Sequence, residues 1–447
     1  MTFDKIALQV PSVLLPHPGI DLQRWAVIAC DQYTSEPDYW EEVAKFTAGH
    51  PSTLELIFPE VYLEEADGEG RIAAINQAMA RYLADGTLTP QPAGLVLLDR
   101  KTAHAPSRKG LMVALDLEHY DYRPGATSLI RATEGTILDR LPPRIKVREA
   151  ASIELPHIMV LIDDPGKTVI EPLFEQQREL LYDTELMQRG GHLRGWQVAD
   201  APSLQQVAAN LAQLIEPAAF NARYGVCDQA PVLYAMGDGN HSFATAKAIW
   251  EQLKAGAADP TTLMDHPARY VLVELVNLHD PGLEFEAIHR VLFGADLEQL
   301  TAAMRAFFQP QGSRLQRLDL ADPAARDAAQ QQGEAAGHHV IPFIAGEQRG
   351  LFVIEQPALQ LTVASLQAFL DGYLHQQPSM KIDYIHGDDA VASLGGRPGN
   401  IGFTLPALSK HALFKTIILD GALPRKTFSM GEADEKRFYL ECRRIIP

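Results

Sequence analysis

Hydrophobic residues along the chain form short continuous runs that alternate with amphipathic segments. Three runs of strand length end in turn-forming residues: "HIMVLIDDP", "APVLYAMGDG" and "ARYVLVELVNLHDPG". Continuous apolar runs of this length are typical of strands that are buried on both faces of a sheet. The segment "AGLVLLDRKTAHAPSRKGLMVALDLEHY" predicts two more strands joined by a polar turn.

The segments between these runs have helical periodicity. "EGRIAAINQAMARYLADG" predicts an amphipathic helix that ends at a glycine, and "PDYWEEVAKF" predicts a helix with Pro37 in its first turn. In "HSFATAKAIWEQLKAG" the spacing predicts a buried face made of Phe243, Ala246, Trp250 and Leu253. The alternation of helices and strands therefore predicts an α/β (mixed α+β) fold class.

The last third of the chain is different in composition. "ADPAARDAAQQQGEAAG" has no persistent apolar stripe and predicts either a solvated helix or a loose connection. "HHVIPFIAGEQRGLFVIEQ" predicts a hairpin around "GEQRG".

Composition excludes several classes of protein. The net charge of −18 over 447 residues argues against general nucleic-acid binding, although it leaves room for a local basic pocket. Every apolar run is shorter than a membrane helix requires, and the first residues do not match a secretory signal. The widely spaced Cys30, Cys227 and Cys442 form no CxxC pair, so we expect buried thiols in a cytoplasmic protein.

The stretch "GDGNHS", residues 237–242, joins a predicted strand to a predicted helix. Gly237 and Gly239 permit close backbone approach, and a helix N-terminus suits an anion. Asp238 could hold a metal ion or accept a proton, and His241 could shuttle one. The alternative is structural: Asp238 or Asn240 caps the helix and His241 packs in the corner.

Three other segments carry candidate chemistry. The basic residues of segment 128–150, which include Arg131 and Arg140, predict either a phosphate or carboxylate clamp or an ion-paired helix face. Asp31 follows a predicted strand and Glu36 precedes a helix, so each is either a catalytic acid or a cap. The acids of "DYIHGDD" could bind a metal with His386, or could simply begin a helix.

Several of these motifs together resemble a known family. "GDGNHSFATA" is similar to the "ADGHHR" motif and following helix of the domain of unknown function 1015 family of bacteria and archaea. "VIACDQYTSEPDYW", "IRATEGTILDR" (which contains Glu134), "IHRVL", "YIHGDD" and "LPRKTF" match further segments of that family in order. The resemblance covers nearly the whole chain, and it implies one family unit over residues 1–447.

The family also resembles, more distantly, the ParB/sulfiredoxin fold, some of whose members are free-serine kinases. This resemblance implies a nucleotide-binding core over residues 1–260 with an additional α/β subdomain over 261–447. It implies nucleotide phosphates (ATP or ADP, with Mg²⁺) near Gly237, Gly239, Asn240 and Ser242. It also implies an N-terminal acid that activates the acceptor hydroxyl, for which Asp31 and Glu36 are the candidates.

The chain departs from the family motif at two positions. Asn240 replaces the first histidine, and Ser242 replaces an arginine that would bind phosphate. We therefore expect Arg131, Arg140 or Lys247 to supply the missing charge, or this branch to bind a different ligand.

Three functions follow as hypotheses. The first is a nucleotide-dependent phosphotransferase that acts on a small hydroxylated metabolite. The second is a non-catalytic nucleotide- or metabolite-binding regulator, for which a homodimer is one candidate form. The third is a metal-dependent hydrolase that uses His241, Asp238 and His386.

Overall fold

A computed structural model describes residues 1–34, 36–63, 67–123 and 125–447. The chain divides into two compact units, of which the first comprises residues 1–284 and 431–447 and the second residues 285–430. The first unit is discontinuous because the chain returns to it after residue 430. Within the described ranges, every helix is too short or too polar to cross a lipid bilayer.

Helices and strands alternate through residues 1–284, as the periodicity predicts. The helices are α1 (Leu22–Trp25), α2 (Pro37–Thr47), α3 (Gly68–Ala84), α4 (Leu141–Arg148), α5 (Ala201–Leu214), α6 (Pro217–Tyr224) and α7 (Asn240–Gly256). The strands are β1 (Thr2–Phe3), β2 (Leu8–Gln9), β3 (Leu14–Pro16), β4 (Val27–Ile28), β5 (Leu88–Pro90), β6 (Leu95–Lys101), β7 (Arg108–Asp116), β8 (Ile130–Arg131), β9 (Ile153–Glu154), β10 (Met159–Ile162), β11 (Leu180–Glu185), β12 (His192–Val198), β13 (Tyr234–Asp238) and β14 (Tyr270–Asn277).

The first unit is built on a mixed sheet with the strand order β11-β12-β6-β7-β14-β10-β13-β8. β10 runs parallel to β14 and antiparallel to β13, and β13 runs parallel to β8. The α/β (mixed α+β) fold class expected from the sequence is confirmed. The three continuous apolar runs form β10, β13 and β14, and the two strands with a polar turn form β6 and β7.

This sheet is covered on both faces, which explains why its central strands are apolar at nearly every position. In β14, Val273 and Leu275 face one core, which also contains Phe243 and Trp250 of α7. The neighbouring Leu272 faces a second core, which contains Trp40 of α2 and Met79 of α3. All eight residues of β14 are buried. Burial on both faces removes the polar–apolar alternation of a half-exposed strand.

The second unit contains α8 (Leu297–Phe308), α9 (Pro323–Ala335), α10 (Thr362–Gln376), α11 (Asp388–Gly395) and α12 (Lys410–Leu419). Its strands are β15 (Phe285–Ala287), β16 (His289–Phe293), β17 (Arg314–Asp319), β18 (His339–Ala345), β19 (Gln348–Glu355), β20 (Lys381–Ile385), β21 (Asn400–Phe403) and β22 (Phe428–Met430). The main sheet is antiparallel with the order β17-β19-β18-β21-β16-β20. The predicted hairpin is β18–β19, and α9 buries none of its residues, as a solvated helix requires.

The returning segment 431–447 adds β23 (Phe438–Tyr439) and β24 (Arg443–Arg444), which pair with β4 and β9. It also brings a buried arginine to β14, in the sheet of the first unit. The Arg437 guanidinium donates to the carboxylates of Glu274 (2.5 Å) and Glu441. Hydrogen-bonded ion pairs of this kind are how buried charges are tolerated.

Two smaller expectations are wrong. Leu253 is 40% exposed, whereas the other three residues of the predicted face, Phe243, Ala246 and Trp250, are buried. Cys227 is exposed, whereas Cys442 is buried and Cys30 is partly buried; all three thiols are free.

Candidate functional site

The corner between β13 and α7 depends on one glycine. Gly239 has φ of +78°, a left-handed conformation, and it lies between Asp238 at the end of β13 and Asn240 at the start of α7. A Cβ atom at this position would lie 2.9 Å from Cγ1 of Ile158 and 3.1 Å from its Cα. Glycine therefore satisfies both the turn and the close packing against the segment before β10.

The first turn of α7 has free amide groups. Asp238 uses Oδ1 to accept the Gly239 amide at 2.8 Å, and none of the described side chains caps the helix. Within the described part of the chain, the amides of Asn240, His241 and Ser242 donate to no acceptor. The capping alternative is therefore wrong, and these N–H groups with the positive end of the helix dipole suit an anion.

Asp238 is paired with a lysine from the returning segment. Nζ of Lys436 lies 3.2 Å from Oδ2 of Asp238. Burial raises the pKa of Asp238, but Lys436, His157 and the Gly239 amide outweigh burial, so its pKa lies below its ordinary value. Asp238 is thus an anion at neutral pH, with a cation beside it.

His241 is neutral at physiological pH. Burial, followed by Arg144 and Arg140, lowers its pKa to about 4 against the opposing effect of Asp31. Nε2 accepts the Ile137 amide at 3.3 Å, so the ring proton is on Nδ1. Because Arg144 and Arg140 lower the pKa of His241, they bring positive charge to the start of α7.

Ser242 begins a chain of hydrogen bonds. Its hydroxyl lies 2.9 Å from Nε2 of His157, whose Nδ1 lies 2.7 Å from the Tyr439 hydroxyl. Tyr439 in turn donates to Sγ of Cys30 at 3.2 Å and accepts the Cys30 amide at 3.1 Å. Burial, followed by Asp31, raises the pKa of Cys30 to about 12, so this group stays a thiol. Oδ2 of Asp31 lies 3.9 Å from Nε2 of His157, which brings Asp31 to the corner.

A cavity of about 140 Å³ opens beside this chain of hydrogen bonds. Ser242, His157, Tyr439 and Cys30 contribute to its polar end, and its remaining lining is predominantly apolar. Two ion pairs also line it, Arg144 with Glu60 and Arg148 with Glu154. The cavity lies entirely within the first unit.

The sequence-predicted residues divide into two groups. Asp31, Asp238, Asn240, His241, Ser242 and Arg140 meet at the corner, where Gly237 and Gly239 form the backbone. Arg131 instead donates to the carbonyls of Ser128 (3.0 Å) and Ala230 (2.8 Å). Lys247 donates to the Leu117 carbonyl (2.9 Å) and pairs with Glu251 (2.7 Å).

The two remaining predicted acids contribute less. Glu36 is the exposed residue that precedes α2, and its charge acts on Tyr33 and Tyr39. Glu134 is half-buried in the segment between β8 and α4. Of the two candidate bases, Asp31 is therefore the one with a described contact to the corner.

Asn240 leaves one buried polar atom unsatisfied. Its Nδ2 lies 3.5 Å from Oγ1 of Thr133, whereas its Oδ1 is buried and accepts no hydrogen bond from the described residues. Buried polar atoms are nearly always hydrogen-bonded, so this oxygen is an exception among the described residues of the corner.

No group of three or more His, Cys, Asp or Glu side chains in the described ranges could hold a metal ion. Asp388 begins α11, as the structural alternative predicts, and lies 3.2 Å from Nε2 of His289. His386 lies in the second unit, 3.9 Å from Glu286.

Sequence reasoning missed four residues of the site. His157 and Glu60 stand in segments without a recognisable motif, and Lys436 and Tyr439 lie about 200 residues after the corner in the chain. The available signal was weak: His157 directly precedes the apolar run that becomes β10, the strand that pairs with β13.

Comparison with known proteins gives the family. Solved structures similar to this chain include a free serine kinase in complex with AMP, at 10% identity and TM-score 0.39, covering 75% of this chain and 91% of that one. A conserved hypothetical protein from Pyrococcus furiosus (13%, TM-score 0.36, 73% and 93%) and SbnI with a C-terminal truncation from Staphylococcus aureus (12%, TM-score 0.35, 74% and 85%) are also similar.

At TM-scores of this size we draw no inference about function, and a ParB/sulfiredoxin-like core over residues 1–260 stays a prediction. No curated protein matches the chain in sequence. The profile of the family described as "protein of unknown function (DUF1015)" matches residues 14–373, which is most of the chain. The chain therefore belongs to the DUF1015 family.

Proposed function

We propose that the first turn of α7 binds the phosphates of a nucleotide, ATP or ADP, and that the chain transfers a phosphoryl group to a small hydroxylated metabolite. The observation that carries this proposal is the set of uncapped amides at Asn240, His241 and Ser242 beside several cationic side chains. Phosphoryl transfer depends mainly on positioning and on neutralising charge, and this corner supplies groups for both.

Arg140 is the best candidate for the charge that Ser242 does not carry. Its side chain is exposed and has no partner in the described part of the chain, yet its charge acts on His241. Arg144 adds a second positive charge, although it is paired with Glu60. Arg131 and Lys247 are already bonded elsewhere, so neither is free to replace the lost arginine.

Asp31 is the proposed general base. In the transfer, the acceptor oxygen forms a bond to the terminal phosphorus and the bond from phosphorus to the bridging oxygen breaks. The proton of the acceptor hydroxyl passes to Asp31, and the shortened nucleotide leaves with the electron pair of the broken bond. The position of Asp31 supports this role, because its carboxylate lies beside His157. His157 is in turn hydrogen-bonded to Ser242, in the turn where we propose that the phosphates bind.

Mg²⁺ would be held mainly by the nucleotide. Magnesium in such sites is typically bound by one or two carboxylates together with substrate phosphates. Asp238 is the one acid at the end of β13, and it is already paired with Lys436. These residues therefore fit a Mg²⁺ ion that enters bound to the nucleotide phosphates, for which Asp238 would be the single protein ligand.

Calorimetric titration of ADP and of ATP with Mg²⁺ into the full chain tests the binding step. Arg140→Gln should weaken binding by about 10- to 100-fold, because a charge-assisted hydrogen bond is worth roughly 1.5–3 kcal/mol. Arg305→Gln is the matched control, since this exposed arginine of α8 also has no partner among the described residues. Equal affinity in the two variants would contradict the placement of the phosphates.

Turnover separates catalysis from regulation. Asp31→Asn should leave nucleotide affinity within a fewfold of the native value and abolish transfer to any metabolite that the native chain phosphorylates. A non-catalytic regulator is the second candidate, and the Asp238–Lys436 pair favours it because the pair leaves little free negative charge for a metal. Nucleotide binding with no transfer to any member of a broad metabolite panel would support the regulator.

A further inference from the structure

The cavity beside the corner has an unusual lining for a site next to the proposed phosphate position. Leu56, Phe58, Met79, Val147, Ile153 and Leu272 contribute apolar surface to it. Ser242 and His157 stand at its polar end, where the hydrogen-bond chain from Cys30 terminates. A molecule in this cavity would therefore meet hydrocarbon on most sides and a hydroxyl–imidazole pair at one end.

The charged side chains of the lining neutralise one another. Arg144 contacts Glu60, and Nη2 of Arg148 lies 2.5 Å from Oε2 of Glu154. Glu154 also accepts from Arg443 at 2.7 Å and from the Leu272 amide at 2.9 Å, so its oxygens are satisfied. A charged or strongly polar ligand would have to break one of these pairs, whereas an apolar group leaves them intact.

We infer that this cavity is the acceptor site, and that it selects an alcohol whose hydroxyl is carried on a compact, uncharged hydrocarbon group. This inference rests on the proposed phosphotransferase function. The hydrocarbon fills the space between Met79 and Leu272, and the hydroxyl lies against Ser242 and His157. That position directs the hydroxyl toward phosphates held by the first turn of α7.

The size of the cavity limits the hydrocarbon group. An apolar cavity of about 150 Å³ is known to hold one benzene molecule, and the cavity here is about 140 Å³. A group of roughly six carbon atoms therefore matches the volume of this cavity. Each methylene that it buries should raise affinity about fourfold.

Nuclear magnetic resonance titration of the full chain with benzyl alcohol, 1-butanol and glycerol tests the inference. Benzyl alcohol and 1-butanol should bind at least tenfold more tightly than glycerol, with or without ADP. Glycerol binding as tightly as benzyl alcohol would overturn the inference. Because the alcohols are measured without nucleotide, a failure of ADP to bind is a separate result that counts against the phosphotransferase alone.

Substitutions that fill the cavity with a larger side chain test whether the alcohol binds there. Ala151 is buried on the lining, so Ala151→Leu should reduce benzyl alcohol affinity at least tenfold. Ala80→Leu is the matched control, because Ala80 lies on the exposed face of α3 next to Met79. Leu155→Phe, at a half-buried position of the lining, gives a second test if Ala151→Leu does not fold. Unchanged affinity in a folded cavity-filling variant would overturn the assignment.

Discussion

Replacing Gly239 with alanine should destabilise the first unit by more than its backbone conformation alone explains. A left-handed conformation costs a non-glycine residue about 1–2 kcal/mol, from which a gain of about 0.4–1 kcal/mol in the unfolded chain is subtracted. The new Cβ would also lie 2.9 Å from the side chain of Ile158 and 3.1 Å from its backbone. Overpacking of this kind adds about 1–3 kcal/mol. The total is therefore about 1–5 kcal/mol.

Gly225→Ala is the matched control for this prediction. Gly225 has φ of +65° at the end of α6, and nothing lies within 4 Å of a Cβ built there. The control should lose only the conformational part, about 1.5 kcal/mol or less. The difference between the two variants isolates the contact with Ile158.

Urea denaturation followed by tryptophan fluorescence measures this difference. All four tryptophans, Trp25, Trp40, Trp196 and Trp250, lie in the first unit, so the signal reports the unit that contains both glycines. Under the proposed function, Gly239→Ala should also weaken ADP binding, because the first turn of α7 must shift away from Ile158. If Gly239→Ala unfolds at the same urea concentration as Gly225→Ala, the argument from close packing is refuted.

Three further predictions use the same denaturation assay. The pKa of His241 falls to about 4 on folding, so its effect on the free energy of unfolding appears below pH 6.5. As the pH falls from 6.5 toward 4, the chain should lose roughly 1–2 kcal/mol of stability, after allowance for solvent screening. His241→Asn should flatten this pH dependence, and an unchanged slope would contradict the argument. Lys436→Gln should cost about 1–2 kcal/mol at pH 7, and this loss should shrink as the pH falls through the lowered pKa of Asp238 and its carboxylate becomes protonated; a loss that does not change with pH would show that the ion pair is not the cause. Arg437→Met should cost about 3–5 kcal/mol because it removes the hydrogen-bonded cation of two buried carboxylates, Glu274 and Glu441, and leaves Glu274 with only Arg108 at 4.0 Å; a loss below about 1 kcal/mol would contradict that role.

The amino-acid pattern alone predicted the local elements of this chain well. The continuous apolar runs became the central strands β10, β13 and β14, and the predicted helix begins at Asn240, within "GDGNHS". The reason is that burial on both faces of a sheet requires apolar residues at nearly every position, which leaves a local record in the sequence. The same pattern misplaced Leu253, which was expected on the buried face of α7 and is 40% exposed.

The ligand-facing character of the corner was only partly determined by the sequence. The motif predicted a turn, free amides and an acid, and it could not decide between a capped helix and an anion site. The structure settled the capping question through Asp238, which accepts the Gly239 amide and pairs with Lys436 instead of capping α7.

Only the tertiary structure determined the rest of the site. His157 reaches Ser242 because β10 pairs with β13, and Lys436 and Tyr439 arrive because the chain returns to the first unit after residue 430. Likewise, Arg140 has no described partner while Arg131 and Lys247 are bonded elsewhere, although all three are equally basic in the sequence. Periodicity records which face of an element is buried, whereas the partner of a polar side chain depends on residues that folding brings from distant positions.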